Sequence, residues 1–286
     1  MNLHHLGKVL NALVRLSPKL AGRLALRLFI SPRRIPFGAA TADYLAGGEQ
    51  LHLAWREPLR GYGFAPTSDA GTPARVLLVH GWESHAGRWV PLIRRLRAAG
   101  CAVVAFDGPA AGRSGGKKTP FNAYVDAMRA VDAAHGPFDA LVGHSLGGGV
   151  VAQLLHRLPP ERRPARAVVM AGFDESDHVF DRYQAMLSFD ARVRAAFDEN
   201  IVAQLSGRPG EATIRDYSNT DALAARGDVA GLVVHARNDE VSPYCEGVAL
   251  QEAWPGSRLY TCEDGGHGLT GEAVLEAVAD FVRPNA

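Results

Sequence analysis

One serine in the chain has the surroundings of a nucleophile. Gly143-His144-Ser145-Leu146-Gly147 has the pattern G-x-S-x-G, follows the apolar run 140–142 and opens a helical segment over 147–158. A serine at such a strand–turn–helix junction has a strained backbone, so its neighbours must be glycines that let other backbone segments approach. The turn also places the hydroxyl at the positive end of a helix. Ser145 is therefore predicted to attack an electrophilic carbon.

A serine nucleophile needs a base, because its hydroxyl is a weak nucleophile at neutral pH. His267 lies in Gly265-Gly266-His267-Gly268, directly after the apolar segment 258–261. The flanking glycines allow the loop to bring the imidazole toward the serine. His235 lies within a strand–loop junction, and His144 is fixed inside the G-x-S-x-G turn. His267 is therefore the predicted base.

The base in turn needs a group that orients it. Asp239 comes just past the carboxyl end of the apolar run 231–234. The chain order serine, acid, histidine is the one expected when the nucleophile follows an early strand and its partners follow later strands. Asp239 is the predicted acid. Glu240, the next residue, is the first alternative, and Asp264 beside the histidine loop is another.

Acyl transfer also needs hydrogen-bond donors where negative charge develops on the carbonyl oxygen. The backbone N–H of Leu146 follows the nucleophile directly and is the first predicted donor. The N–H of Trp82, in the segment His80-Gly81-Trp82 after the apolar run 76–79, is the second. We also predict that Gly81 and His144 line the substrate pocket.

The elements that would position these residues alternate between strands and helices. Short, almost continuous apolar runs indicate strands covered on both faces, which are typical of a parallel sheet; they are 76–79, 102–106, 140–142, 167–170 and 231–234. Helical segments between them predict right-handed crossovers and an α/β fold with a mostly parallel, doubly wound sheet. Alternation over 51–55 and 61–64 predicts an antiparallel hairpin before that sheet.

Two segments do not fit the strand–helix alternation. Residues 174–228 are helical without a strand, which predicts a small helical cap inserted after the strand at 167–171. Residues 1–36 form an amphipathic helical extension, in which Ser17-Pro18 separates two helices. The core is then 49–173 together with 229–286. In the extension, Arg15, Lys19, Arg23 and Arg27 form a basic row on the face away from a leucine stripe. Either the leucines pack on the domain, or residues 1–30 contact a membrane surface weakly.

The composition is that of an ordinary globular protein. The chain has 286 residues, 47% hydrophobic and 21% charged, with a formal net charge of +1 and three cysteines. The near-neutral charge gives no basis for nucleic-acid binding, and no cofactor or metal site is expected. No apolar stretch reaches spanning length, and basic residues interrupt the start of the chain, which predicts a cytoplasmic protein.

From about residue 50 to its end, the chain resembles the α/β-hydrolase superfamily. The resemblance rests on an ordered set of segments: His80-Gly81-Trp82, Asp107-Gly108-Pro109-Ala110-Ala111-Gly112-Arg113-Ser114, Gly143–Gly147, Asn238-Asp239 and Gly266-His267. Within that superfamily the chain is similar to bacterial capped serine hydrolases of the esterase type. Ala110 departs from the glycine that many members carry there. A serine nucleophile differs from the aspartate of haloalkane dehalogenases and epoxide hydrolases.

The resemblance implies a serine hydrolase that cleaves a small-molecule carboxylic ester of small or medium acyl chain through an acyl-enzyme. Alternatives within the fold are an acyl-thioester or lactone hydrolase, or a lipid-ester hydrolase that uses the N-terminal helices. A non-catalytic receptor for a small molecule is a further alternative, although a receptor has no need of a base.

Overall fold

The computed structural model describes residues 3–68, 72–174, 177–206 and 218–283. Within them the chain forms eight strands and eleven α-helices. The strands are β1 (Glu49–Ala54), β2 (Pro58–Phe64), β3 (Arg75–Val79), β4 (Ala102–Asp107), β5 (Ala140–His144), β6 (Arg166–Met170), β7 (Ala230–Ala236) and β8 (Arg258–Cys262). The helices are α1 (Leu3–Leu16), α2 (Pro18–Phe29), α3 (Ala39–Ala46), α4 (Val90–Ala98), α5 (Phe121–His135), α6 (Leu146–Arg157), α7 (Asp177–Leu187), α8 (Ala191–Ser206), α9 (Asn219–Ala224), α10 (Tyr244–Ala253) and α11 (Glu272–Val282).

All eight strands form one sheet in the order β1-β2-β4-β3-β5-β6-β7-β8. β1 pairs antiparallel with β2, and β2 pairs antiparallel with β4, while the other neighbours are parallel. The predicted mostly parallel, doubly wound sheet is therefore confirmed. The predicted hairpin is confirmed as well, since Leu51 lies opposite Gly61 in the β1–β2 ladder.

Each face of the sheet has its own apolar core, which explains why the central strands are apolar throughout. In β3, Val76 and Leu78 pack with α4 and α11, whereas Leu77 and Val79 pack with α5 and α6. Successive side chains of a strand point to opposite faces, so both faces must be apolar when helices cover both. All four of these β3 side chains are completely buried.

The parallel strands also explain where the predicted site residues meet. β5 ends at His144, β7 at Ala236 and β8 at Cys262, and these strands run in the same direction. Their carboxyl ends therefore lie at one edge of the sheet, where open α/β sheets bind ligands. Ser145, Asp239 and His267 all follow these strand ends.

A second compact unit consists of the described residues of 1–32 and 175–218. Its core is formed by apolar side chains of α1, α2, α7 and α8, among them Leu10, Val14 and Phe197. α2 and α8 approach closely because α2 carries Gly22, where an added Cβ would lie 2.2 Å from the Ala196 carbonyl oxygen. The N-terminal extension and the insertion, which are predicted as separate segments, therefore share one core.

α9 belongs to the larger unit, residues 33–174 and 219–286, although it falls inside the segment predicted as the cap. Asn219 donates from Nδ2 to the Phe173 carbonyl at 2.8 Å, and the backbone N–H of Thr220 donates to Asp174 at 2.8 Å. These contacts attach the start of α9 to the loop after β6. The inserted segment of the smaller unit therefore ends before α9.

The two N-terminal helices meet at Ser17, as Ser17-Pro18 predicted. α2 begins at Pro18, and the backbone N–H of Leu20 donates to Ser17 Oγ at 3.4 Å. This side-chain bond satisfies one of the free N–H groups of the first turn. Among the described helices, none is both long and apolar enough to cross a membrane.

Candidate active site

Ser145 lies at a sharp turn between β5 and α6, with φ 54° and ψ −122°. A non-glycine residue in this region is strained by about 1–3 kcal/mol and needs surroundings that fix it. Here the Ser145 N–H donates to the Met170 carbonyl at 2.8 Å. The neighbouring glycines are required because any larger side chain would clash with nearby backbone. A Cβ on Gly143 would lie 2.2 Å from the Gly147 carbonyl oxygen, and one on Gly147 would lie 2.2 Å from the Val79 carbonyl oxygen.

His267 connects the serine to a buried carboxylate. Its Nε2 lies 2.9 Å from Ser145 Oγ, and its Nδ1 lies 2.9 Å and 3.1 Å from the two carboxylate oxygens of Asp239. A carboxylate only accepts hydrogen bonds, so Nδ1 carries the proton and Nε2 is free to accept the serine hydroxyl proton. The arrangement has the nucleophile–base–orienting-group geometry of an activated serine.

Asp239 is held by its own loop. Its Oδ1 accepts the backbone N–H groups of Val241 at 2.8 Å and Ser242 at 2.9 Å, and its side chain is fully buried. Burial alone would raise the pKa of this carboxyl, but the hydrogen bonds from His267 and the two N–H groups hold the pKa below its ordinary value. Asp239 is therefore ionised at neutral pH. The alternative acids, Glu240 and Asp264, are both exposed.

The predicted oxyanion loop packs against the nucleophile. A Cβ on Gly81 would lie 3.0 Å from Ser145 Cβ, so the Gly81 backbone adjoins the serine. Trp82 and Leu146, the two predicted donors, are half-buried beside Gly81 and Ser145 in the chain. Their role stays a prediction.

His80 ties this loop to the one after β4. Its Nδ1–H donates to the Gly81 carbonyl at 2.8 Å, and its Nε2 accepts the Gly108 N–H at 2.8 Å. The ring must be neutral to accept at Nε2. Burial supplies that condition, since it lowers the pKa of His80 to about 4. Two loops at the sheet edge are thereby fixed to each other.

The loop after β4 is formed by the segment Asp107–Ser114, one of the segments on which the resemblance rests. Asp107 accepts the backbone N–H groups of Ala86 at 2.8 Å and Arg113 at 2.9 Å, and Ser114 Oγ donates to the Asp107 carbonyl at 2.6 Å. Ala110 has φ 59°, in the left-handed region. This conformation explains why glycine is favoured at a position where this chain carries alanine.

Comparison with known proteins identifies the family of this chain. A model of the alpha/beta hydrolase family matches residues 76–281. The chain belongs to the α/β-hydrolase family. A monoacylglycerol lipase of Mycolicibacterium smegmatis is 35% identical to this chain over 114 residues, which are 37% of this chain and 40% of the lipase. A protein of Mycobacterium phage D29, whose name assigns it provisionally to the non-heme haloperoxidases, is 31% identical over 131 residues, 43% of this chain and 46% of its own. The chain thus matches less than half the length of each of these two relatives.

Solved structures share the fold at low sequence identity. An esterase of Pyrococcus furiosus superposes with a TM-score of 0.64 at 19% identity, over 88% of this chain and 98% of the esterase. Est1E of Butyrivibrio proteoclasticus, solved with ferulic acid, superposes with a TM-score of 0.60 at 18% identity, over 82% and 96% of the two chains. These likenesses concern the fold, and they confirm the fold class expected from the sequence.

Side chains from separate elements fix the loop that carries His267. His144 donates from Nε2 to the His267 carbonyl at 2.6 Å, Arg88 donates to the Gly268 carbonyl at 2.8 Å, and Asn238 Oδ1 accepts the Gly266 N–H at 2.8 Å. The backbone of each of the three residues 266–268 thus forms a hydrogen bond with a side chain from outside the loop. The sequence predicts His144 as a pocket residue and makes no prediction for Arg88. Only the G-H-S-x-G context pointed to His144, and no sequence signal pointed to Arg88.

Burial determines the protonation of these groups. It holds the pKa of His144, which is 6% exposed, well below its ordinary value, and the nearby Arg88 cation lowers it further. Neutral His144 must carry its proton at Nε2, because a carbonyl oxygen accepts there. Burial lowers the pKa of Arg88 to about 10, which still leaves the guanidinium charged at neutral pH. His235, also buried, donates from Nε2 to the Ser242 carbonyl at 2.9 Å and so supports the Asp239 loop.

Proposed function

We propose that this α/β-hydrolase is a serine esterase that cleaves a carboxylic ester of small or medium acyl chain through an acyl-enzyme intermediate. The observation that carries the proposal is the continuous hydrogen-bond chain from Asp239 through His267 to Ser145, with contacts of 2.9 Å on both sides of the imidazole. A structural role would not require an ionised, buried acid directed at a histidine that in turn contacts a strained serine.

In the first step, Ser145 Oγ forms a bond to the ester carbonyl carbon, and its proton moves to His267 Nε2. The carbonyl π electrons move onto the oxygen, where the N–H groups of Leu146 and Trp82 stabilise the charge. When the tetrahedral species collapses, the bond to the alcohol oxygen breaks and the leaving alcohol takes the proton from Nε2. Acyl-Ser145 remains.

In the second step, water attacks the acyl carbon while Nε2 takes one of its protons. Collapse then breaks the bond to Oγ, which recovers the proton, and the carboxylic acid leaves. Asp239 holds Nδ1–H throughout, fixes the imidazole orientation and stabilises the transient imidazolium by charge. The buried ionised carboxylate is suited to this role, because a low-polarity site strengthens its interaction with the cation.

The names of the similar proteins support an ester substrate. The curated relative with 35% identity is a monoacylglycerol lipase, and the structural neighbour from Pyrococcus furiosus is an esterase. The lipase relative also favours one second candidate, hydrolysis of a lipid ester. Both candidates use the same serine and differ in the length of the acyl chain.

The test is hydrolysis of p-nitrophenyl esters of increasing acyl length by the full chain, with Ser145→Ala in parallel. We expect turnover that Ser145→Ala abolishes, with an optimum at short or medium length for the first candidate and at long chains for the second. Labelling by a fluorophosphonate, which requires an activated serine, separates an enzyme from a receptor on the same fold. Turnover by Ser145→Ala near the wild-type rate, or no labelling of the folded wild-type protein, would overturn the proposal.

A further inference from the structure

The two N-terminal helices expose a surface in which apolar and cationic side chains alternate. On α1 this surface consists of Lys8, Val9, Ala12, Arg15 and Leu16, and on α2 it consists of Lys19, Leu20, Arg23 and Arg27. We call it the leucine–cation face. All nine residues are exposed, and at the rotation of an α-helix each set falls within about a third of a turn. The opposite sides of both helices are buried in the core of the smaller unit.

The apolar members of this face are unusually exposed. Five large hydrophobic residues are exposed in the described part of the chain, and three of them, Val9, Leu16 and Leu20, belong to the leucine–cation face. Leu16 is 86% exposed and Leu20 is 53% exposed, and the two flank the Ser17 junction. The core sides of α1 and α2 are already filled by other residues, such as Leu10 and Ala21. Packing within the unit therefore does not account for these leucines.

The charge of the face has one sign. Residues 1–32 contain five of the chain's Lys and Arg and none of its 30 Asp and Glu, and the first acidic residue is Asp43. Within the described residues, no carboxylate lies at ion-pair distance from any cation of the face. By contrast, Arg194 in the same unit contacts Asp177 at 3.6 Å and Asp198 at 2.8 Å. Among the described residues, carboxylates thus neutralise Arg194 but none of the five cations of the leucine–cation face.

We propose that the leucine–cation face docks on an anionic phospholipid surface. Leu16, Leu20 and Val9 enter the boundary between headgroups and acyl chains, and the cations bind headgroup phosphates. Exposed leucines between cations on an amphipathic helix are the pattern of interfacial helices. A nucleic acid would satisfy the cations but leave Leu16 in water, and a second copy of the same face would be repelled by like charge.

The expected strength follows from the composition of the face. A cation near an anionic bilayer strengthens binding by about fivefold, and a leucine transferred out of water strengthens it by about tenfold or more. Replacing two cations by glutamine should therefore weaken binding by about 25-fold, and replacing two leucines by serine by about 100-fold. Salt should weaken the cationic part, because exposed charges are screened.

The experiment is co-sedimentation of the full chain with vesicles of phosphatidylcholine alone or mixed with phosphatidylglycerol. The variants are Leu16→Ser/Leu20→Ser and Lys19→Gln/Arg23→Gln. The matched control is Lys117→Gln/Lys118→Gln, which removes two exposed cations from a loop of the larger unit. We expect wild type and control to bind the anionic vesicles equally, both test variants to bind far more weakly, and none to bind phosphatidylcholine strongly.

Three results would overturn the docking proposal. The first result is that the wild type does not bind anionic vesicles. This includes the cases in which the face instead binds duplex DNA or self-associates through its leucines. The second is equal binding by the leucine variant, and the third is an equal loss in the control. Thermal melting and hydrolysis of a water-soluble ester, both expected to be unchanged in every variant, show that the fold is intact. The vesicle assay does not depend on catalysis, so docking and the proposed esterase activity can fail separately.

Discussion

Replacing Asp239 by asparagine tests the proposed site at its most constrained point. Asp239 Oδ1 accepts two backbone N–H groups, from Val241 and Ser242, while Oδ2 lies 2.9 Å from His267 Nδ1. In the asparagine variant, the amide oxygen stays on the two N–H donors, so the amide NH₂ faces Nδ1. The imidazole must then accept at Nδ1 and carry its proton at Nε2, where it cannot take the proton of Ser145.

The opposite amide orientation does not rescue the variant. It would leave the two backbone N–H groups facing an NH₂ group, and each buried unsatisfied donor costs about 1–3 kcal/mol. The productive histidine tautomer is therefore disfavoured by about 2–6 kcal/mol, before the lost stabilisation of the imidazolium is counted. We expect kcat to fall by about 10⁴-fold, or about 5 kcal/mol in the barrier.

The assay is steady-state hydrolysis of the best p-nitrophenyl ester, with Glu240→Gln as the matched control. Glu240 is the adjacent, exposed carboxylate and the first alternative acid, so its variant should keep kcat within about twofold. Asp239→Asn should fold as the wild type does, since the side chain keeps its shape. A fall of less than tenfold in Asp239→Asn, or a comparable loss in Glu240→Gln, would refute the assignment of the acid.

Three further outcomes follow from the described contacts. His144→Leu should lower kcat by about 10-fold or more with little change in KM, because the hydrogen bond to the His267 carbonyl is lost. His144→Gln keeps a donor near that carbonyl and should recover much of the rate. Equal rates for the two variants would argue against a positioning role of His144. Since the folded pKa of His80, about 4, lies below the unfolded value, the unfolded chain binds more protons below pH 6.5, and stability falls as pH drops toward 4. Denaturant titrations should show wild type losing about 3 kcal/mol more than His80→Gln between pH 6.5 and 4, and parallel curves would contradict this. Gly22→Ala should lower the melting temperature by several degrees, because its Cβ would lie 2.2 Å from the Ala196 carbonyl oxygen, while the exposed Ala12→Ser should not.

The sequence specified those parts of the fold that depend on local pattern. The strands of the sheet are apolar on both faces, and the turn at Ser145 is marked by glycines that the observed close contacts require. Asp239 and His267 could be placed because parallel strands end at a common edge. The order of elements therefore brought together residues that are 28 and 122 positions apart.

The smaller unit could not be predicted in the same way. Its core joins α2 to α8, segments more than 150 residues apart, and no periodic pattern shows which distant helices will pair. The leucines of residues 6–28 follow helical spacing and predict an apolar stripe on the face away from the basic row. The break at Ser17 divides that stripe, so Leu10 is buried while Leu16 and Leu20 are exposed.

The histidine loop shows why supporting residues are harder to predict from sequence than the candidate site residues. Glycines at 265, 266 and 268 allow the chain to turn His267 toward the serine, but the same glycines leave the loop little intrinsic preference for that conformation. Positioning must then come from outside the loop, and it comes from His144 on β5, Arg88 before α4 and Asn238 after β7. A glycine-rich loop that carries the proposed base needs such donors and acceptors. Their identity is set by the tertiary structure, because any polar side chain at the right place could act.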